Sequence, residues 1–492
     1  MSTLQSVETN IFQWSKLTPD KVAIYYKEER ISYSQLASNI LKVTRLLSAE
    51  YSIINEDIVF LIADKSPTFI YNYFALHLSG AITVLIDPEI TIPRLGMIKS
   101  RINPRYIFGN PSKAIPQEYI TEMSSTDNSE IIVSFHDLVF LNLQNKADIL
   151  FTTGTTGTPK GIYLTNGNIA AAVRNINSFI QNTEDDTELL ALPISHSFGL
   201  GRLRCVLSAG GSIVLTNSFT NIKGFFRLIE KFQVTGLAFV PSAWAYIKKM
   251  SGNRIVDYAH QLKYIEIGSE YMTVFDKKQL SELLPYTNIC MHYGLTEASR
   301  SIFLNFKNDR QNLDTLGKSS PNVEVEIVSE LGECLGENIE GEICIKGDHV
   351  ATSYLGLSEE EAKDFFWQEY IRTGDYGVKL KNGYLKIVGR KKEMINVGGK
   401  KVSPIEIEEV LNTIKGIDAS ACVGIPDRNG ILGEVVKAFM VGDSLICDMT
   451  EVKNKITKSL ESYKWPVEYV WIDAIPITES GKIKRLELKN KQ

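Results

Sequence analysis

The segment Leu150-Phe-Thr-Thr-Gly-Thr-Thr-Gly-Thr-Pro-Lys-Gly161 concentrates groups that suit a polyanion. Gly154 and Gly157 let backbone N–H groups come close to an anion. The hydroxyls of Thr152, Thr153, Thr155, Thr156 and Thr158 add donors, and Lys160 adds a compact positive charge. A loop so dense in donors suits a triphosphate. It is not the P-loop of ordinary ATPases, which needs two glycines five apart with Lys-Ser/Thr directly after the second; neither glycine satisfies that spacing. A plain surface turn would need small residues, but has no use for five threonines and a lysine together.

The elements that must hold this loop follow from the whole chain. Its 492 residues correspond to about three packing units at roughly 150 residues each, enough to bury sizeable cores without disulfides or a structural metal. Charged residues at 23% and hydrophobic ones at 44% exclude a mostly disordered chain. Lys+Arg 53 against Asp+Glu 58 gives −5, so the basic footprint of a general nucleic-acid binder is missing. The six cysteines are scattered without a CxxC pair, which argues against a disulfide framework or zinc site and for a reducing, cytoplasmic setting. The first residues lack a basic region followed by an apolar core, so no secretory signal is expected, and the last three are not the peroxisomal address. The apolar run 69–86 contains Asn72, His77, Ser79 and Gly80 and is expected to be a buried helix followed by a strand, not a membrane span.

Strand-like and helical patterns alternate over most of the chain. Ile58-Val-Phe-Leu-Ile-Ala63, a helical stretch 67–78 and a second apolar run 81–86 form a strand–helix–strand unit of a parallel sheet. Further strands are expected over 188–192, 212–215, 236–240 and 264–267, with helices between the last three. After about Thr315 the pattern changes. Val323-Glu-Val-Glu-Ile-Val328 and Gly341-Glu-Ile-Cys-Ile-Lys346 alternate with period two, as half-exposed antiparallel strands do, and 384–388 is another strand. The charged stretch Gly389-Arg-Lys-Lys-Glu393 reads as a linker before a last portion of about 100 residues, a usual domain size.

The glycine- and threonine-rich loop resembles the phosphate-binding signature of the adenylate-forming superfamily, which comprises acyl- and aryl-CoA synthetases, peptide-synthetase adenylation domains and firefly-type luciferases. Other motifs follow in family order. Gly80-Ala-Ile-Thr-Val-Leu-Ile-Asp-Pro88 resembles the early strand motif, Tyr293-Gly-Leu-Thr-Glu297 the adenine and metal motif, and Tyr370-Ile-Arg-Thr-Gly-Asp375 the ribose motif. The segment 389–399 resembles the hinge with its following loop, and Glu479-Ser-Gly-Lys482-Ile-Lys-Arg485 the C-terminal catalytic lysine motif. The resemblance covers essentially the whole chain. It implies an α/β fold: a large N-terminal domain of α/β sheet subdomains plus a small β-barrel-like part (1–388), a hinge (389–393), and a small mobile α+β C-terminal domain (394–492).

The resemblance also implies roles. Thr153, Thr156 and Lys160 would grip the β- and γ-phosphates of ATP, with Thr152, Gly154, Thr155 and Gly157 completing the loop. Thr153 stands where Ser is more usual, which keeps the hydroxyl. Tyr293 and Gly294 would pack on adenine, Thr296 would bond the α-phosphate, and Glu297 would hold Mg²⁺, a hard cation suited to one carboxylate and substrate phosphates. Asp375 would accept from both ribose hydroxyls, and Arg390 would reach ribose or phosphate. Gly268-Ser269-Glu270 resembles the segment lining the adenine and acyl pockets. Lys482 would bridge the substrate carboxylate and the α-phosphate. The small domain would turn about Lys392, bringing Gly398 and Gly399 to a tunnel for pantetheine.

Leu192-Pro-Ile-Ser-His-Ser-Phe-Gly-Leu200 resembles the acyl-pocket motif of CoA ligases, with His196 as an aromatic gate. Adenylation domains for α-amino acids usually carry an Asp near here; Ser195, His196 and Ser197 stand in its place, which disfavours such a substrate. Arg202 and Arg204 are expected to be surface residues, the other reading being partners for a second substrate carboxylate or a CoA phosphate. The implied activity is ATP-dependent activation of a carboxylic acid and transfer to CoA. The competing readings are a stand-alone adenylating enzyme that loads the phosphopantetheine of a carrier protein, acting in trans because no carrier domain follows Lys482, and a non-enzymatic nucleotide-binding protein that kept the fold. The intact set Lys160, Glu297, Asp375, Arg390 and Lys482 argues against the last.

Overall fold

The computed structural model describes residues 4–123, 141–152, 160–217, 219–428, 430–477 and 483–491. The expected strand–helix–strand unit is present: Ile58–Ile62 and Ile82–Ile86 pair in parallel, Ile58 opposite Ile82, and Pro67–Leu78 crosses between them. Ser66 accepts from the Phe69 N–H and Pro67 occupies the first turn, so the helix starts where a donor would otherwise go unpaired. Most of its residues are buried, including Asn72 and His77, and only the narrow side carrying Thr68, Tyr71 and Leu78 reaches water. Each fully buried Phe or Leu in such a helix contributes about 1.5–3 kcal/mol of transfer free energy. Among the described residues no helix is long and apolar enough to cross a membrane.

These strands belong to a six-stranded sheet, in the order Ser353–Tyr354, Lys160–Thr165, Lys146–Thr152, Ile82–Ile86, Ile58–Ile62, Tyr106–Phe108. A second, nine-stranded sheet has the parallel strands Asn288–Tyr293, Tyr264–Ile267, Gly236–Phe239, Thr187–Leu190 and Ser212–Leu215 in its middle. One hydrophobic core draws on both sheets and on the helices Val7–Leu17, Tyr33–Ala49, Pro67–Leu78, Asn166–Ile180 and Ser197–Ser208. The site segments leave these two sheets at strand ends, where open α/β sheets present ligand crevices.

A five-stranded antiparallel sheet follows, with Gly341–Lys346 between Glu324–Val328 and Tyr370–Lys379, and Leu385–Arg390 beside Tyr370–Lys379. The expectation of half-exposed strands needs correction for Gly341–Lys346, where Gly341 through Ile345 are all buried. It is an inner strand, and its buried Glu342 is tolerated because Arg372 Nη1 lies 2.8 Å away. The linker expected at 389–393 is shorter than its charge suggested. Gly389 and Arg390 pair in register with Tyr376 and Asp375, so the turn begins only at Lys391. Beyond it a small domain has its own core around Ile395, Ile407, Val436 and Ile456. Its elements are the hairpin Ile395–Val397/Lys400–Val402, the helices Pro404–Leu411 and Met449–Ser459, and a sheet of Ile417–Pro426, Glu434–Gly442 and Glu468–Trp471.

Candidate active site

Thr152, at the end of one strand, pairs in register with Lys160, at the start of the next. The residues between them that were assigned to phosphate, Thr153, Gly154, Thr155, Thr156 and Gly157, lie outside the described residues, as does Lys482. The Lys160 ammonium sits 4.0 Å from the centre of the Phe365 ring. Burial lowers its pKa, nearby Lys392 lowers it further, and Glu297 opposes both. Lys160, Lys392 and Glu297 therefore share one electrostatic neighbourhood, although they come from three distant segments.

Glu297 lies in the loop after the strand Asn288–Tyr293. Leu295 and Ala298 exchange backbone hydrogen bonds of 3.0 and 3.2 Å, which tightens the loop around Thr296 and Glu297. The Tyr354 hydroxyl donates to Glu297 Oε1 at 3.2 Å. Gly294 is required by crowding, since a Cβ there would stand 2.4 Å from the Arg300 backbone nitrogen. Thr296 lines a cavity with Asn168, Ser197, Gly201, Arg300 and His349. A single carboxylate beside a lysine and a hydroxyl-bearing loop fits a magnesium ion whose other ligands are phosphates and water.

Tyr293 ends its strand with its hydroxyl donating to Asp375 Oδ2 at 2.7 Å, and Arg390 Nε stands 3.2 Å from Asp375 Oδ1. Burial, then the Asp375 charge, push the Tyr293 phenol far above its usual pKa, so it remains a donor. Tyr293, Asp375 and Arg390 are thus joined by direct contacts, Thr296 and Glu297 follow Tyr293 in the same loop, and Lys160 feels the Glu297 charge; together they make up the candidate site. Gly268 joins it from the neighbouring strand end, where any Cβ would fall 2.1 Å from the His292 ring. Ser269 adopts φ +73°, which turns the chain sharply. The Glu270 carboxylate is engaged elsewhere: it accepts from the Ser242 N–H and hydroxyl, both at 2.9 Å, and caps the helix Pro241–Ser251. His196 is exposed and immediately precedes the helix Ser197–Ser208, and the neighbouring Ser195 hydroxyl donates to Asp87 Oδ2 at 2.5 Å.

Gly398 and Gly399 form the turn of the hairpin at φ +58° and +80°. Lys401 of that hairpin pairs with Glu330 and lies 5.0 Å from the Tyr376 ring centre. The Gly398 N–H donates to the Leu432 carbonyl at 2.8 Å within the small domain, so among the described residues the two glycines are not gathered with Tyr293, Glu297 and Asp375. The flanks of Lys482 are anchored near the turn after Arg390. Ile477 and Ile483 bridge, and Arg485 Nε pairs with Glu393 Oε2 at 2.8 Å.

The expectation of surface positions for Arg202 and Arg204 is overturned, for both are buried. Arg202 Nη2 pairs with Glu188 Oε2 at 2.5 Å and Nη1 with Glu266 Oε2 at 3.0 Å. Arg300 Nε pairs with Glu266 Oε1 at 2.6 Å, and its Nη2 donates to the Phe198 carbonyl at 2.7 Å. Burial would raise the Glu266 pKa, but Arg300 and Arg202 outweigh it and hold the carboxyl well below the usual range. Arg204 pairs with Asp148 and donates to the Tyr73 hydroxyl, and His77 bridges Asp148 (3.1 Å) and Glu8 (2.7 Å). Neither arginine is left for a second substrate carboxylate. The signal for these networks was present as single acids inside apolar strands, Glu188 before Leu-Leu and Glu266 between isoleucines, because a buried carboxylate requires a partner.

Residues 11–355 match the family described as AMP-binding enzyme, and residues 406–482 match the AMP-binding enzyme C-terminal domain. The chain is 32% identical over 386 residues to 4-coumarate-CoA ligase 1 of Narcissus pseudonarcissus, a match covering 75% of this chain and 68% of that protein. It is 26% identical over 479 residues to 2-succinylbenzoate–CoA ligase of Enterococcus faecalis, covering 95% of each. In fold it is similar to o-succinylbenzoate CoA synthetase from Bacillus subtilis solved with an acyl-adenylate intermediate, with TM-score 0.85, 22% identity and 98% of both chains covered.

Proposed function

The chain belongs to the AMP-binding enzyme family, and on that premise we propose that it activates a carboxylic acid with ATP and passes the acyl group to the thiol of CoA. In the first step a carboxylate oxygen of the acid bonds to the α-phosphorus while the bond to pyrophosphate breaks. In the second the sulfur bonds to the acyl carbon, AMP leaves, and the thiol proton is lost to solvent. The observation that supports this reading is that the loop Tyr293–Glu297 links the Asp375–Arg390 pair, held by the Tyr293 hydroxyl, to the Glu297 carboxylate that acts on Lys160.

Lys160 and the hydroxyls of Thr152, Thr153, Thr155 and Thr156 bind the β- and γ-phosphates, and Thr296 bonds the α-phosphate. Asp375 accepts from the ribose hydroxyls while Tyr293 and Arg390 hold its carboxylate in place. Tyr293, Gly294, Gly268 and Ser269 wall the adenine and the acyl group. Glu297 holds Mg²⁺, which when bound neutralises charge on the phosphates. The work of the protein is alignment and electrostatic stabilisation, since the substrates supply both nucleophile and leaving group. The acid is not an α-amino acid. Ser195, His196 and Ser197 replace the usual aspartate, and Glu188 and Glu266 are already paired, so no carboxylate among them is left for an ammonium.

Residues 1–388 act as the adenylation domain, 389–393 as the hinge and 394–492 as the mobile domain, with Lys392 as pivot and the cytoplasm as the setting. Thiol transfer requires the Gly398–Gly399 turn to come to the nucleotide, with His196 at the tunnel mouth. Gly398→Val is expected to slow thioester formation at least about ten-fold more than pyrophosphate exchange, because a β-branched residue at positive φ blocks a thin passage. Equal losses in both assays would count against the tunnel. The alternative acceptor is the phosphopantetheine of a carrier protein acting in trans. A panel of carboxylic acids with ATP, Mg²⁺ and either CoA or a phosphopantetheinyl carrier protein, read by mass spectrometry, tests the reading. Acyl-adenylate with any acid supports it, and none with any acid sinks it.

A further inference from the structure

Lys160 and Glu297 reach the site from different sheets, yet one short strap bonds to both of their segments. Ser353–Tyr354 pairs with the strand that starts at Lys160, Tyr354 opposite Ile162, and the Leu355 N–H donates to the Gly161 carbonyl at 2.8 Å. A few residues earlier, the Ala351 N–H donates to the Glu297 carbonyl at 2.8 Å, and Val350 bridges Ala298. The strap also carries side chains to the two charged groups. Tyr354, 8% exposed, donates its hydroxyl to Glu297 Oε1 at 3.2 Å. Its ring packs on Phe365 at 4.7 Å between centroids, and the Lys160 ammonium lies 4.0 Å from the centre of the Phe365 ring.

We infer that Tyr354 and Phe365 are positioning residues for the metal–triphosphate: Tyr354 aims the Glu297 carboxylate, and Phe365 holds the Lys160 ammonium at a set distance from it. A carboxylate that accepts one fixed hydroxyl keeps its remaining lone pairs in a defined direction, as supporting bonds do for carboxylate ligands. An ammonium over an aromatic face is held without neutralising its charge, so a phosphate oxygen can still take it. Because the two side chains touch each other, the spacing of cation and carboxylate is set before nucleotide arrives, and less ordering is left for binding to supply.

This inference rests on MgATP being a substrate, so its test measures binding to the whole protein without turnover. Tyr354→Phe removes one oxygen and keeps the ring on Phe365. It is expected to raise the Mg²⁺ concentration for half-maximal ATP binding about five-fold, the scale of one ordinary hydrogen bond lost. AMP, which lacks the β- and γ-phosphates, is expected to bind within about two-fold of its wild-type affinity, since Asp375 and Tyr293 are untouched. Phe365→Leu keeps apolar bulk without the ring face and is expected to weaken MgATP about three-fold, again sparing AMP. Calorimetric titrations with AMP and with ATP across a Mg²⁺ series read both effects. A Tyr354→Phe protein with the wild-type Mg²⁺ midpoint overturns the inference, as do equal losses of AMP and MgATP affinity, which would mark a structural role only. A wild-type protein that binds AMP but no MgATP at any Mg²⁺ concentration overturns the proposed function itself, a result distinct from either.

Discussion

Lys482→Ala is expected to lower acid-dependent pyrophosphate exchange about a thousand-fold while ATP affinity stays within about two-fold. The charge that develops as the carboxylate attacks the α-phosphorus lies on oxygens between the two reactants, and a lysine from the small domain can meet it there. Lys482 lies outside the described residues, but its surroundings tie it to the hinge. Arg485, three positions on, pairs with Glu393 at 2.8 Å and with Glu408, and Arg390 just before that turn pairs with Asp375. Arg485 thus fastens the chain just after Lys482 to the turn that follows Arg390. ATP affinity is spared because adenine, ribose and triphosphate are assigned to residues of the large domain. Exchange at the wild-type rate would remove Lys482 from the adenylation step. A parallel loss in Arg485→Gln, with the melting temperature unchanged, would show that the anchor also positions the lysine.

The second large effect is on stability. Arg202→Met is expected to cost about 3–5 kcal/mol, because it leaves Glu188 and Glu266 facing a partner that no longer carries charge. Glu266 would keep Arg300, but Glu188 would retain only the Tyr264 hydroxyl, at 2.7 Å, besides whatever Asn182 can offer to the space left by the guanidinium. The network is self-neutralising, two arginines against two carboxylates, so removing one member exposes the desolvation cost of the others. Chemical denaturation of wild type, Arg202→Met and Arg202→Met/Glu188→Gln separates the contributions. The double variant is expected to recover part of the loss, since neutral Gln needs no counter-charge. A single variant within about half a kcal/mol of wild type would mean that the carboxylates take up protons at no cost. Arg300 also holds the Phe198 carbonyl, which links this network to the segment beside His196 that is proposed to face the acid.

Local patterns exposed much of the molecule. The crossover unit 58–86 was legible because a parallel, doubly covered sheet makes its strands uniformly apolar and its helix apolar on all sides. The exposure of Gly341–Lys346 was misjudged for a related reason. Period-two alternation implies one wet face only when nothing covers that face, and here neighbouring strands and the Arg372–Glu342 pair close it. Arg202 and Arg204 were misread because a charged residue in an isolated helix pattern looks solvated, and its partners Glu188, Glu266 and Asp148 stand tens of positions away.

The order of motifs along the chain was enough to establish the family, because each motif is a short run whose pattern is carried by its own neighbours. Only the folded chain decided which residues stand together. It joined Tyr293 to Asp375 and Tyr354 to Glu297, put the Glu270 carboxylate on a helix end, and bonded the Gly398 N–H to the Leu432 carbonyl of the small domain. The physical reason is range. Propensity, capping and glycine freedom act over a few residues, whereas ion pairs and ring contacts act over a few ångströms between segments that the sheets bring together from anywhere in the sequence.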